Sequence, residues 1–161
     1  MASRTAKGQK GYKLETSLPY LLNRAGIRLG RLFENETHRF GLTVPMYRVL
    51  ALLIEREESG LLQLSAGASI DASTLSRMIG TLAKQGLVVR TRRDGNQREV
   101  SIRLTEKGKE VTLQLIPKAQ HFEEILAQKI GAVAHTQLCE QLIQIYHNLD
   151  ALQEEQKKQG M

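Results

Sequence analysis

One short segment breaks the periodicity of an otherwise helical sequence. In DASTLSRMIGTLAKQG, residues 71–86, Leu75, Ile79 and Leu82 recur at i, i+4 and i+7, as on one face of a helix. Asp71 stands where an N-cap belongs, and Gly86 stops the pattern. Immediately afterwards LVVR and EVSIRL read as strands, with apolar Val100, Ile102 and Leu104 alternating with polar Glu99, Ser101 and Arg103. A turn-like DGNQ joins them, and the ribbon holds five arginines: Arg90, Arg92, Arg93, Arg98 and Arg103. A hairpin that follows a helix this closely has to lie beside it.

Helical patterns flank this pair. Apolar residues at 14, 18, 21, 22, 25, 29, 32 and 33 form a stripe running to about His38, closed by Phe40-Gly41. Thr43 is an N-cap with Pro45 in the first turn, and Met46, Val49, Leu50 and Leu53 form the inner face of a second helix. That helix is expected to end near Glu58-Ser59-Gly60, before a short helix over about 61–68. Thr105 caps a long helix that continues past Pro117, where a bend is expected, to about Gly131. In the last helix Leu138, Leu142, Ile145, Leu149 and Leu152 are spaced 4-3-4-3, a heptad seam, and the polar QEEQKKQGM is expected to fray.

Two short helices across a tight turn form a helix-turn-helix, and the second is built to lie in a major groove. Its core-facing residues leave Ser73, Thr74, Arg77, Gly80, Thr81 and Lys84 outward, with Ser76 at the boundary. Small hydroxyls let the helix N-terminus approach a partner, which a face selected for solubility alone does not need. Arg77 can reach a guanine or a phosphate. The following hairpin is then a wing, with arginines beside the minor groove and backbone.

Charge agrees with this placement. Residues 72–109 carry 9 basic and 3 acidic residues, or +6, which equals the net charge of the whole chain. Such clustering is the footprint expected for a polyanion partner. The composition, 41% apolar with no run long enough to span a bilayer, fits a soluble cytoplasmic protein without a membrane partner. The basic N-terminus has no apolar segment behind it and does not read as a secretory signal. One cysteine excludes an internal disulfide framework, and the four histidines show no metal-ligand spacing. No phosphate loop or nucleophile motif appears, so neither an enzyme nor a cofactor is expected.

The residues resemble the MarR family of bacterial transcription regulators. The resemblance lies in Leu64-Ser65, Ile70-Asp71, Ser73-Thr74, Leu75 and Ser76-Arg77, followed by Leu82-Ala83-Lys84-Gln85-Gly86-Leu87-Val88-Val89-Arg90 and Leu104-Thr105-Glu106-Lys107-Gly108. Upstream, Gly41-Leu42-Thr43 before Val49-Leu50 matches the start of the family's second helix. Where the family's wing carries Asp-x-Arg, this chain has Asn96-Gln97-Arg98, with Asp94 two residues earlier as a substitute partner for Arg98.

The expected fold is mainly α with a small β-hairpin wing: a winged helix-turn-helix flanked by long dimerisation helices. Residues 1–13 are expected to be a flexible basic tail, 14–40 an N-terminal dimerisation helix, 41–104 the DNA-binding domain and 105–157 the C-terminal dimerisation helices. The resemblance implies a homodimer on pseudo-palindromic double-stranded operator DNA, often repressing, and nucleoid-associated when bound. DNA contacts are expected on the outward helix face at Ser73, Thr74, Ser76, Arg77, Thr81 and Lys84 and on the wing at Arg92, Arg93, Asn96, Gln97 and Arg98, of which the resemblance itself implies Arg98. Along a ribbon Arg90, Arg92 and Arg93 point to alternate faces, and one or more is free to pair with acids of the long helices. Leu14, Leu18, Leu21, Leu138, Leu142, Ile145 and Leu149 are assigned to the dimer interface.

An effector pocket where the dimerisation helices meet the DNA-binding lobe is implied likewise, with Asn23, Arg24, Ile27, Arg28, His38, Tyr47 and Arg48 as candidates. Its ligand would be a small molecule such as an aromatic acid or a related thioester. Cys139, without a neighbouring cation in sequence, reads as a small buried filler rather than a redox switch. The alternative from another class is a winged-helix interaction module for RNA or protein. Against it, no aromatic residue lies in the recognition segment to stack a base.

Overall fold

The structure, a computed structural model, describes residues 12–92 and 100–159. They form two compact units that divide between Leu115 and Ile116, inside one helix. In the first unit a 3-10 turn at Leu14–Thr16 precedes α1 (Leu18–His38), α2 (Val44–Arg56), β1 (Glu58–Gly60), α3 (Leu61–Ala68), α4 (Ala72–Lys84), β2 (Val88–Arg92), β3 (Val100–Leu104) and the start of α5 (Glu106–Ile130). The rest of α5 and α6 (Ala132–Gln159) make the second unit.

The local signals explain where these helices start and stop. Thr43 accepts from the Met46 amide at 3.4 Å, capping α2. Asp71 accepts from the Thr74 amide at 2.8 Å, capping α4. After α1 the chain reverses through Gly41 at φ 66°, with the Leu42 amide bonded to the Thr37 carbonyl. The end of α4 has the same form: Gly86 sits at φ 72°, its amide bonded to the Ala83 carbonyl, and the Leu87 amide reaches back to Leu82. This is a Schellman end, where glycine supplies the left-handed residue at no Cβ penalty.

The core of the first unit is made by Leu42, Val49, Leu50, Leu53, Leu64, Leu75, Ile79, Leu82, Ile102 and Leu115, all fully buried. Leu75, Ile79 and Leu82 thus face inward as their spacing predicts, and Val88, Ile102 and Leu104 fasten the ribbon to the same core. Phe33 joins α1 to α2 by an edge-on contact with Tyr47, centroids 4.8 Å apart.

The expected end of α2 needs correction. Residues 58–60 are a third strand, and the sheet order is β1-β3-β2, all antiparallel. Glu58, Ser59 and Gly60 lie opposite Arg103, Ile102 and Ser101. Nothing in ESG signals a strand, since it lacks β-branched or aromatic residues, and only pairing with β3 defines it. The consequence is that β3 is central, and Ser101, one of the polar alternates of its strand, is buried.

The last helix also runs further than expected. It extends through Gln159 instead of fraying after Leu152. Pro117 lies within α5, where it lacks the amide that would bond the Leu113 carbonyl. Along α6 the inner seam members Leu142 and Ile145 are half-buried, while Leu138, Leu149 and Leu152 are exposed.

Gly108 marks the tightest packing. A Cβ there would collide with the Leu87 carbonyl oxygen, so α5 can start beside the end of α4 only without a side chain. Gly108→Ala is expected to lower unfolding stability by about 1–3 kcal/mol, the usual range for an overpacked site. Urea unfolding checks this, as a lower midpoint with an unchanged m-value.

Candidate nucleic-acid interface

The outward face of α4 is thin and polar. Ser73, Thr74, Arg77, Thr81 and Lys84 are all exposed, as their spacing predicts, and Ser76 is half-buried. A Cβ on Gly80, in the middle of this helix, would meet no atom within 4 Å. Internal packing therefore does not require a glycine there, although one weakens a helix interior by roughly 0.5–1 kcal/mol relative to alanine. The effect is a low surface between Arg77 and Lys84.

The hydroxyls differ in what they are free to do. Ser73 Oγ donates to Asp71 Oδ1 at 2.7 Å, the same oxygen that accepts from Thr74 N, so Ser73 completes the cap. Thr81 Oγ1 donates back to the Arg77 carbonyl at 3.3 Å. The guanidinium of Arg77 and the ammonium of Lys84 have no hydrogen-bond or ion-pair partner among the described residues. An arginine one turn beyond a capped helix N-terminus, without a partner among the described residues, is arranged to receive an anionic or base-edge acceptor.

Of the wing, Arg93, Asn96, Gln97 and Arg98 lie outside the described residues, as do residues 1–11 of the basic tail. Arg92 ends β2 opposite Val100. Arg90 does not pair with an acid of a long helix: its Nη2 donates to the Ser76 carbonyl at 3.1 Å, joining β2 to α4. Sequence reasoning missed this, because the acceptor is a backbone atom with no residue signature.

The seven effector candidates lie on α1 and α2. Arg24 lies over the Tyr20 ring, 5.2 Å from its centroid, and His38 faces Glu34 at 3.8 Å. Asn23, Ile27 and Arg28 are exposed along α1. Tyr47 packs on Phe33, and burial, with Glu55 adding, pushes its hydroxyl above the ordinary tyrosine range. Arg48 turns the other way and donates to the Ala68 carbonyl at 3.0 Å, bracing α3. An open groove of about 780 Å³ lies elsewhere, between the end of α2, the outer face of the sheet and the start of α5. Its lining includes Leu53, Ile54, Glu57, Val89, Arg103 and Lys109, and none of the seven.

Cys139 is half-buried rather than buried. Its Sγ lies 3.9 Å from His135 Nε2, which in turn lies 3.9 Å from Glu123 Oε1. The i, i+4 spacing of His135 and Cys139 was available in the sequence, whereas Glu123 comes from the other helix.

Comparison with known proteins decides the family. The profile for "Transcriptional regulator SarA/Rot" matches residues 31–115, just over half the chain. The chain belongs to the MarR/SarA family of winged-helix transcriptional regulators. It is 31% identical over 96 residues to the organic hydroperoxide resistance transcriptional regulator of Bacillus subtilis, covering 60% of this chain and 65% of that protein. It is 30% identical over 103 residues to the HTH-type regulator SarZ of Staphylococcus saprophyticus, covering 64% and 70%. Both relatives are transcriptional regulators.

Among solved structures, a MarR-family regulator from Silicibacter pomeroyi superposes with a TM-score of 0.74 at 29% identity, covering 84% of this chain and 92% of that one. NadR in complex with 4-hydroxyphenylacetate gives 0.75 at 22%, covering 86% and 96%. CouR from Rhodococcus jostii RHA1 bound to p-coumaroyl-CoA gives 0.75 at 24%, covering 83% and 94%. The last two show the likeness of fold alone. No helix among the described residues is long and apolar enough to cross a membrane.

The cap of α4 titrates. Hydrogen bonds from Ser73 and Thr74 hold the Asp71 carboxyl well below the usual carboxylate range. A group whose folded pKa is depressed contributes stability above its unfolded value, near 4, and loses it as pH falls through the folded one. Wild type is thus expected to lose thermal stability more steeply below about pH 4 than Asp71→Asn, which caps without titrating. Thermal midpoints measured from pH 7 to pH 2 test this, and parallel curves would remove Asp71 from the explanation.

Proposed function

We propose that this regulator is a homodimer that binds pseudo-palindromic double-stranded operator DNA and represses by occupying it, in the cytoplasm and on the nucleoid. The observation that carries the reading is the outward face of α4, where Arg77 and Lys84, without a partner among the described residues, flank a surface lowered by Gly80. A major groove about 12 Å wide admits such a helix, and the hairpin beside it then falls along the backbone. Ser73 and Thr74 approach the DNA at the capped end, with Ser76, Thr81, Arg92 and the wing-tip residues as further contacts.

Dimerisation is supported by apolar surface that neither unit covers by itself. Leu14, Leu18 and Leu21 are exposed at the start of the chain's first helical segment, and Leu138 and Leu149 are exposed on α6. Two-fold symmetry would set two copies of α4 on half-sites about 34–36 Å apart. The Arg77→Ala variant is expected to bind its selected duplex more weakly by about 1–3 kcal/mol and to lose base preference at one position per half-site. Titration against selected and random duplexes checks this. Equal losses on both would remove base readout by Arg77.

A small effector is proposed to release the dimer by biasing the separation of the two recognition helices. The ligands named for NadR and CouR support trying aromatic acids and acyl-CoA thioesters. A thermal-shift screen of these classes is expected to give at least one compound that raises the midpoint. Coupling between two sites is reciprocal, so that compound must weaken operator binding by the factor by which operator weakens it. A bound compound that leaves operator affinity unchanged would refute the release mechanism.

A further inference from the structure

Arg90 occupies an unusual place for a wing arginine. In the β2–β3 ladder Val88 lies opposite Leu104 and Arg90 opposite Ile102, and Val88, Leu104 and Ile102 are all buried. Residues two apart on a strand share a face, so Arg90 stands on the core face of the hairpin, at its rim. From there its Nη2 reaches the Ser76 carbonyl of α4 at 3.1 Å. That carbonyl lies in the turn preceding Gly80, one residue before Arg77. A carbonyl has two acceptor lone pairs, so it can accept the guanidinium besides its helical partner.

We propose that Arg90 is a positioning residue for DNA recognition: it acts as a strut that fixes the angle between the hairpin and α4, and not as a phosphate ligand. The inference rests on the DNA-binding reading above and adds to it how the two contacting elements are held in register. The linker Gln85-Gly86-Leu87 and the shared core at Val88 and Leu104 set the root of the hairpin against α4, and the bond from Arg90 to Ser76 is the polar tie further out along the ribbon. Arg90 lies two residues beyond that root and supplies the second point needed to fix a direction. A duplex offers its major groove and the adjacent backbone at a set separation. Specific binding therefore needs both elements engaged together, whereas non-specific attraction to phosphates does not.

The test uses the full-length protein, a duplex selected by the wild type from a random library, and a random duplex of equal length. Arg90→Met keeps the apolar stem but removes the donor, and Arg90→Gln keeps polarity but is too short to reach Ser76. Both are expected to keep the wild-type thermal midpoint and to bind the selected duplex about tenfold more weakly, the equivalent of about 1.4 kcal/mol. Binding to the random duplex and the slope of log affinity against log salt are expected to stay unchanged. A phosphate ligand would instead weaken both duplexes together and, with two copies of Arg90 per dimer, make the slope shallower by about 1.8. That result, or full retention of specific affinity, overturns the strut. If the wild type selects no duplex at all, the DNA-binding reading itself fails, an outcome distinct from a failure of Arg90.

Discussion

Three successive carbonyl oxygens just past the end of α4 are bonded by one short segment at the start of α5. Lys107 Nζ donates to Gln85 O at 2.9 Å, Thr105 Oγ1 to Gly86 O at 2.7 Å, and Thr105 N to Leu87 O at 3.0 Å. The last carbonyls of a helix have no partner within it, and at Gln85 the tertiary structure supplies one, while the same segment serves Gly86 and Leu87 just beyond. Thr105 Oγ1 also accepts from the Gly108 amide at 2.9 Å, so one hydroxyl caps α5 while closing α4. Gly108 allows the approach because it carries no Cβ to strike Leu87. The hairpin leaves and returns between these two points, so the junction sets where it starts and ends.

From that junction the arrangement of the interface follows. The Schellman end at Gly86 turns the chain sharply into β2, and the buried face of β2 and β3 then packs with Leu75, Ile79 and Leu82 in one core. Inward packing of those three residues leaves Arg77, Gly80, Thr81 and Lys84 no choice but to face outward. At the same end of α4, Gln85 Nε2 donates to the Gly41 carbonyl at 3.2 Å, tying the α1–α2 turn to the junction. Arg48 holds α3 from the opposite side through the Ala68 carbonyl. The helix-turn-helix is thus braced at both helices by side chains whose acceptors are backbone atoms.

Much of this was legible in the sequence where a signal is local. Asp71, Thr43 and Thr105 cap the helices their positions announce, and Gly41 and Gly86 take the left-handed conformation that stops them. The outward set on α4 follows from the period of its apolar residues. What was not legible depends on distant partners. The strand at 58–60 has no propensity of its own and exists because β3 offers an edge. Burial of Ser101 follows from that pairing, and the bond from Arg90 follows from the approach of the hairpin to α4. The candidate effector residues share a region of sequence, but Tyr47 and Arg48 turn apart because neighbours on a helix differ by about 100° in direction.

The sequence by itself determined the order and ends of the helices, the presence of a hairpin after α4, and the family. Each depends on residues within a few positions of one another, where backbone geometry and capping chemistry act directly. Only the tertiary structure decided that the hairpin is part of a three-stranded sheet, that Gly108 and Thr105 lock two helices together, and that Arg90 reaches across to Ser76. Those contacts join atoms 14 to 45 positions apart, and most end on backbone carbonyls, which look the same in every residue.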